Sequence, residues 1–322
     1  MINYPIKFEP ILKEKIWGGN KLKNVLHKNT TLNNIGESWE ISDVDNSVSV
    51  VANGALKGLN LKELIGHYTS DFMGKQNYRT FGNNFPILIK FIDAKEDLSI
   101  QVHPGDKIAK KRHNSFGKTE MWYVMQADKD ANVIVGFNQE MSQEKYKYHL
   151  KQNELKDILH HQEVTEGDSF FINAGKIHAI GSGVLLAEIQ QTSDITYRVY
   201  DWDRKDTNGN GRELHTDLAL DVIDYNNNDD YKTLYERRYN QSSTIVNCNY
   251  FTTNFLKVKN SLVRTSNTID SFIVYMCTKG IAEITVDAYT ETIQEGQTIL
   301  IPATANQIEL TSNNAEFLEV YV

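Results

Sequence analysis

Short apolar runs of strand length, cut off by Gly, Asn and Asp, recur along most of this chain, and they limit what it can fold into more than any other feature. They fall at 85–94, 98–103, 121–125, 133–137, 169–172 and 184–190, then again at 255–258, 272–276, 281–286, 298–301 and 317–321. Many short strands with loop residues between them predict a sandwich or barrel. Helical spacing is confined to three places: 60–65, where Asn60 caps the start; a stretch opened by Ser142 and running through Tyr146, Leu150, Leu155 and Leu159; and Leu214 through Leu218, Leu220 and Ile223. These read as insertions. The expected fold is mainly β, with two barrel or jelly-roll units.

An internal echo supports two units. Glu166-Gly167-Asp168-Ser169-Phe170-Phe171-Ile172-Asn173-Ala174 and Glu295-Gly296-Gln297-Thr298-Ile299-Leu300-Ile301-Pro302-Ala303 share an acid, a glycine, a polar pair, three apolar residues and a turn. Where the first copy reaches His178, the same offset in the second reaches Gln307 and no histidine follows. The expected division is a catalytic unit over 1–240 and a second β unit over 241–322 that holds no metal.

Composition excludes several function classes. At 322 residues the chain can bury a substantial core, and 40% hydrophobic with 24% charged residues is ordinary for a globular protein. A net charge of −8 argues against broad attraction to nucleic acid or acidic membranes. No run approaches the ~18 apolar residues of a spanning helix, and the start lacks a signal-like pattern; the expected location is cytoplasmic. Cys248 and Cys277 have no spacing that suggests a disulfide framework or thiolate cluster, so both read as buried, inert thiols.

The chemistry is concentrated in Gln101, His103, Glu120 and His178. Gln101 and His103 are two apart, so on a strand they project from one face, and Pro104-Gly105 ends that strand at once. Glu120 opens the next apolar run, and His178 follows the turn Asn173-Ala174-Gly175. Imidazole and carboxylate donors suit Zn²⁺, with Mn²⁺, Fe²⁺ and Co²⁺ also possible, and such a set leaves positions open for water or substrate. His27, His67, His113, His149, His160 and His161 have no such setting, and His215 reads as lying near a helix start.

At these residues the chain resembles the type I phosphomannose isomerases, zinc enzymes of the cupin superfamily. The landmarks are 17–19 (WGG), 36–42 (GESWEIS), 99–104 (SIQVHP), 117–123 (GKTEMWY), 175–179 (GKIHA), 188–194 (EIQQTSD) and 197–201 (YRVYD). The resemblance covers nearly the whole chain and is densest between residues 85 and 205; the chain resembles the compact bacterial form, with no room for a long helical insertion. The resemblance implies two cupin units, one Zn²⁺ per chain held by Gln101, His103, Glu120 and His178, and interconversion of mannose 6-phosphate and fructose 6-phosphate through an enediolate. It implies Arg198, Glu188 and Lys118 as catalytic residues, Glu188 as the proton carrier. Ser99, Lys90, Lys118 and Arg198 are implied to bind substrate. The expected partner is a small sugar phosphate, with neither nucleic acid nor membrane, and the chain is expected to be a monomer or weak homodimer.

Each assignment has a plainer counterpart. Arg198 also reads as an ion-paired strand residue, Lys118 as a loop lysine, and Glu188 as the partner of Arg198. Lys90 interrupts an apolar strand, and a buried lysine is costly unless paired, which favours a pocket. Trp17, Trp39 and Trp122 read as packing residues, and 203–211 as a solvated turn with an incomplete calcium-loop pattern. Two other function classes use the same scaffold: an iron-dependent cupin oxygenase and a non-catalytic sugar-binding protein.

Overall fold

The computed structural model describes residues 3–205, 208–226, 230–265 and 269–322. The first part of the chain supplies β1 (Ile11–Gly19), β2 (Ile35–Ile41), β3 (Asp43–Val44), β4 (Ser47–Val48), β5 (Ile87–Ala94), β6 (Ile100–Val102), β7 (Glu120–Ala127), β8 (Asn132–Phe137), β9 (Leu159–Glu163), β10 (Ser169–Ile172), β11 (His178–Ile180), β12 (Val184–Gln191) and β13 (Tyr197–Tyr200). The remainder supplies β14 (Ser242–Asn247), β15 (Thr252–Thr265), β16 (Ile273–Lys279), β17 (Ile281–Val286), β18 (Tyr289–Gln294), β19 (Thr298–Ile301) and β20 (Gln307–Tyr321). They form a six-stranded sheet in the order β1-β2-β5-β12-β7-β10, a five-stranded sheet β13-β6-β11-β8-β9, and a seven-stranded C-terminal sheet with the path β14-β15-β20-β16-β19.

Two-residue periodicity decides what each face of the six-stranded sheet meets. Ile87, Ile89 and Phe91, Met121, Tyr123 and Met125, and Leu185, Ala187 and Ile189 share a core with Phe255, Val274 and Leu318 of the C-terminal sheet. The intervening Ile92, Trp122, Val124 and Leu186 turn the other way and pack with Val133, Val135 and Ile180 of the five-stranded sheet. Lys90, Glu120 and Glu188 belong to this second set. The jelly-roll sandwich therefore places its charged residues between two sheets.

The helix over Leu61–Met73 starts at an Asn60 capping box with Glu63, as the spacing predicts, and its last turns follow a break at Thr69 (φ 47°). The stretch from Ser142 is helical only over Gln143–Lys151; Asn153 takes a left-handed turn (φ 59°), a 3₁₀ turn covers Leu155–Ile158, and Leu159 opens β9. The third predicted helix is also shorter, Thr216–Leu220, with His215 at its N-cap. Helices Lys75–Phe81 and Asp106–His113 lack an apolar stripe in the sequence and were not foreseen. Cys277 is buried, which pushes its thiol up to about 12, but Cys248 is partly exposed. Among the described residues no helix is long and apolar enough to cross a membrane.

The echoed motifs occupy matching places. Gly167 N donates to Val124 O at 2.7 Å and Val124 N to Asp168 O at 2.8 Å; Gly296 N donates to Cys277 O and Cys277 N to Gln297 O, both at 2.9 Å. Both glycines have left-handed backbones, φ 89° and 80°, which explains their recurrence. Strand register extends the match. The row Trp39–Lys90–Glu188–Trp122–Phe170 across β2-β5-β12-β7-β10 has the counterpart Thr244–Asn254–Glu319–Tyr275–Ile299 across β14-β15-β20-β16-β19.

Candidate metal centre and substrate pocket

Each donor is delivered by a strand or its end. Gln101 lies in β6 opposite His178, the first residue of β11, while His103 follows the end of β6 and Glu120 begins β7 in the facing sheet. One imidazole nitrogen on each histidine is occupied by a backbone carbonyl: His103 Nδ1 by Ile195 O at 2.9 Å and His178 Nδ1 by Lys176 O at 2.7 Å. Those contacts select the tautomer that leaves each Nε2 with its lone pair. His103 Nε2 lies 3.6 Å from Glu120 Oε2 and His178 Nε2 lies 3.4 Å from Glu120 Oε1. The donor atoms of His103, Glu120 and His178 lie within 4.8 Å of one another. The Gln101 amide is 3.4 Å from His178 Nε2, and half a turn about its terminal bond exchanges nitrogen for the oxygen a cation takes.

The electrostatics fit a cation. His103 Nε2 and Glu120 Oε1 are buried without a hydrogen-bond partner, a costly state that a bound ion relieves, and Glu120 Oε2 has only the Lys118 ammonium beside it. Burial, then the nearby Lys118 charge, lowers His103 well below the usual histidine value; burial lowers His178 to about 4. Both imidazoles are therefore neutral donors at pH 7. Burial raises Glu120 to about 7 against the pull of Lys118, whose Nζ sits 3.0 Å from Oε2. The residues present match a small divalent ion with mixed nitrogen and oxygen ligands.

A cavity of about 330 Å³ opens beside this cluster, lined by Gln101 and by Lys90, Ser99, Lys118, Glu188 and Arg198, the residues singled out in the sequence. Glu188 is paired with Lys90 at 2.9 Å and not with Arg198; Trp122 Nε1 donates to its other oxygen at 3.2 Å. Burial alone would raise Glu188, yet Lys90 and Lys118 outweigh it and hold the carboxyl at about 2. Lys90, 6% exposed, also donates to Gln190 Oε1 at 2.7 Å, and Glu188 with Glu37 keeps it above the usual lysine value despite burial. Lys118 lies on the loop before β7 but is 5% exposed and paired with Glu120, so it is not an ordinary solvated loop lysine. Arg198 is half-buried; its Nε reaches Ser99 Oγ at 3.3 Å and its Nη1 reaches Glu213 O at 2.9 Å.

Other lining residues carried no isolated signal in the sequence: Lys15, Glu37, Asp194 and Arg212. Trp17 and Trp39 are buried as packing residues should be, but both also form cavity wall. The calcium-like pattern over 203–211 falls partly at 206–207, outside the described residues; Asp203 accepts from Tyr200 OH at 2.8 Å.

The C-terminal unit shows what the same row becomes without donors. Glu319, 1% exposed, accepts from Asn254 Nδ2 at 3.0 Å and Tyr275 OH at 3.0 Å, and from Arg264 Nη1. Arg264 pairs with Ile308 as Gln101 pairs with His178, and Ile273 stands where Glu120 does. Gln307, the position reached by sequence offset, is exposed, so the inward site falls one residue later on Ile308. Among the described residues the sole group of His, Cys, Asp and Glu donors close enough for a metal is His103, Glu120 and His178.

Comparison with known proteins agrees with this arrangement. Residues 6–131 match the family model for the phosphomannose isomerase type I catalytic domain, and residues 241–322 that for the mannose-6-phosphate isomerase cupin domain. The chain is 38% identical over 254 residues to the mannose-6-phosphate isomerase ManA of Bacillus subtilis, covering 78% of each chain. It is 39% identical over 223 residues to the mannose-6-phosphate isomerase of Streptococcus mutans, covering 68% of this chain and 67% of that one. The crystal structure of the Bacillus subtilis mannose 6-phosphate isomerase matches with a TM-score of 0.90 at 30% identity, over 99% of this chain and 100% of that one. A two-unit cupin with a His/Glu/His centre is thus the class defined by fold and site. The chain belongs to the type I phosphomannose isomerase family.

Proposed function

We propose that this chain is a mannose-6-phosphate isomerase that uses one Zn²⁺, bound by Gln101, His103, Glu120 and His178, to interconvert mannose 6-phosphate and fructose 6-phosphate. The observation that carries the reading is a buried set of unsatisfied donors opening onto a pocket rich in lysine and arginine, in a protein whose overall charge is −8. Iron-dependent oxygenation has little use for that concentration of fixed cations, and the named relatives favour neither it nor a non-catalytic role.

Moving a proton between C2 and C1 of the open-chain sugar develops negative charge on two oxygens. A bound zinc ion supplies Lewis acidity at that end of the pocket. Arg198 holds the enediolate with a guanidinium whose orientation is set by Ser99 and the Glu213 carbonyl. Lys90 and Lys118 add protonated donors, and Ser99 positions the sugar chain. Glu188 carries the proton. It enters as a carboxylate, and its basicity rises when substrate oxygens draw Lys90 and Lys118 away from it, since those two charges hold it at about 2. Residues 1–240 form the catalytic unit in this scheme and 241–322 the supporting one. A cytoplasmic location and a monomeric or weakly dimeric state complete the proposal.

The test is a coupled assay of mannose 6-phosphate conversion on purified protein, with metal content measured on the same sample. Turnover lost to EDTA and restored by zinc is expected. Protein carrying one zinc per chain that leaves mannose 6-phosphate unchanged would overturn the reading.

A further inference from the structure

The cavity has two chemically different ends. His178, Gln101 and Arg198 are cross-strand neighbours on β11, β6 and β13, so at ~4.8 Å per strand Arg198 stands roughly 10 Å from the histidine column. β13 is the edge strand, and the segment after it is tied back by His215 N donating to Arg198 O at 2.7 Å. That segment contributes Arg212 to the cavity wall. Its guanidinium lies side-on to Asp201, with Nε donating to Oδ2 at 2.7 Å and Nη2 to Oδ1, while Arg204 Nη2 donates to the same Oδ1 at 2.8 Å. Asp201 is 5% exposed, so a buried carboxylate organises two guanidiniums at the rim.

At this rim Arg204 and Arg212 face one buried carboxylate, with the exposed Asp194 and Glu213 nearby, while the Arg198 side chain turns back toward Ser99 and the metal donors. Arg198 is engaged by Ser99 and the Glu213 carbonyl. Arg212 uses Nε and Nη2 on Asp201, which leaves its Nη1 corner for a ligand. An open-chain sugar phosphate has its carbonyl at one end and a phosphate close to dianionic at pH 7 at the other. With the carbonyl at the metal donors, the phosphate reaches the arginine end.

We propose that Arg212 recognises the phosphate of the substrate and that Asp201 is the positioning residue that fixes its guanidinium, together setting the preference for phosphorylated sugars. This rests on the sugar-phosphate reading above. Asp201 removes rotamer freedom from Arg212 before binding, so less is lost when a charge-assisted hydrogen bond forms.

The experiment measures inorganic phosphate and mannose 6-phosphate binding by calorimetry on the zinc-loaded protein, alongside steady-state turnover. Arg212→Gln is expected to weaken both ligands by about tenfold or more, with KM rising more than kcat falls. Arg212→Lys keeps the charge without the side-on pair and is expected to recover part of the affinity, as is Asp201→Glu relative to Asp201→Ala. If Arg212→Gln does not fold, Arg212→Lys alone reads the loss. Unchanged phosphate affinity in a folded Arg212 variant overturns the inference. Absence of turnover in the parent overturns the isomerase reading instead, and the phosphate titration still decides the role of Arg212.

Discussion

Lys90 Nζ and Glu188 Oε1 meet at 2.9 Å across β5 and β12, two opposite charges on nearly buried side chains in the cavity wall. Glu188 is held at about 2, below the ordinary glutamate value of 4.5, so the pair contributes stability that is fully present above pH 4.5 and lost as pH falls toward 2. Glu188→Gln should reduce the pH dependence of unfolding free energy between those limits by up to about 3 kcal/mol. Denaturant titrations of metal-free protein at pH 5 and pH 3 check this; parallel losses in parent and variant count against the pairing. Activity of the same variant tests the proton carrier: a kcat near that of the parent moves that role elsewhere.

His178→Ala removes an imidazole from a set whose remaining donors are already short of partners. Metal content should fall from one per chain to near zero, with turnover down by about a thousandfold or more. Elemental analysis after dialysis reads the first quantity independently of the second.

Arg198→Ala should leave metal content intact and lower kcat by about a hundredfold or more, the usual scale for a lost oxyanion contact. A variant that keeps most of its kcat would take Arg198 out of the chemistry.

Arg264→Ala leaves Glu319 buried without its cation, which typically costs about 3–5 kcal/mol. Metal stoichiometry and kcat at a temperature where the variant stays folded should match the parent, because this cluster lies in the other unit. Thermal unfolding with metal analysis separates the two effects.

Much of the β architecture was legible because its strands are fully buried on one or both faces and read as apolar runs. The candidate site was legible for the opposite reason: polar residues inside or beside such runs, as with Gln101 and His103 near the candidate donors and Lys90 in the cavity wall, conflict with burial unless something pairs with them. Helix Asp106–His113 was not legible, since its four basic residues in the last turn give no apolar stripe. Glu37, Arg212 and Asp201 were missed because charge on a strand or loop does not reveal its facing partner. The one-residue displacement between Gln307 and Ile308 also has a physical origin, because inward and outward positions alternate and a loop that differs by one residue exchanges them.

Arg264 fills from within the chain the place that, in the first unit, belongs to a donor for an external ion. A guanidinium made during translation requires no uptake, no competition among metals and no loading step. The C-terminal unit should therefore be complete as soon as it folds, in metal-starved and metal-replete cells alike. Chelation should silence the protein while leaving that unit, and the face it offers to the six-stranded sheet, ready for a later return of the ion.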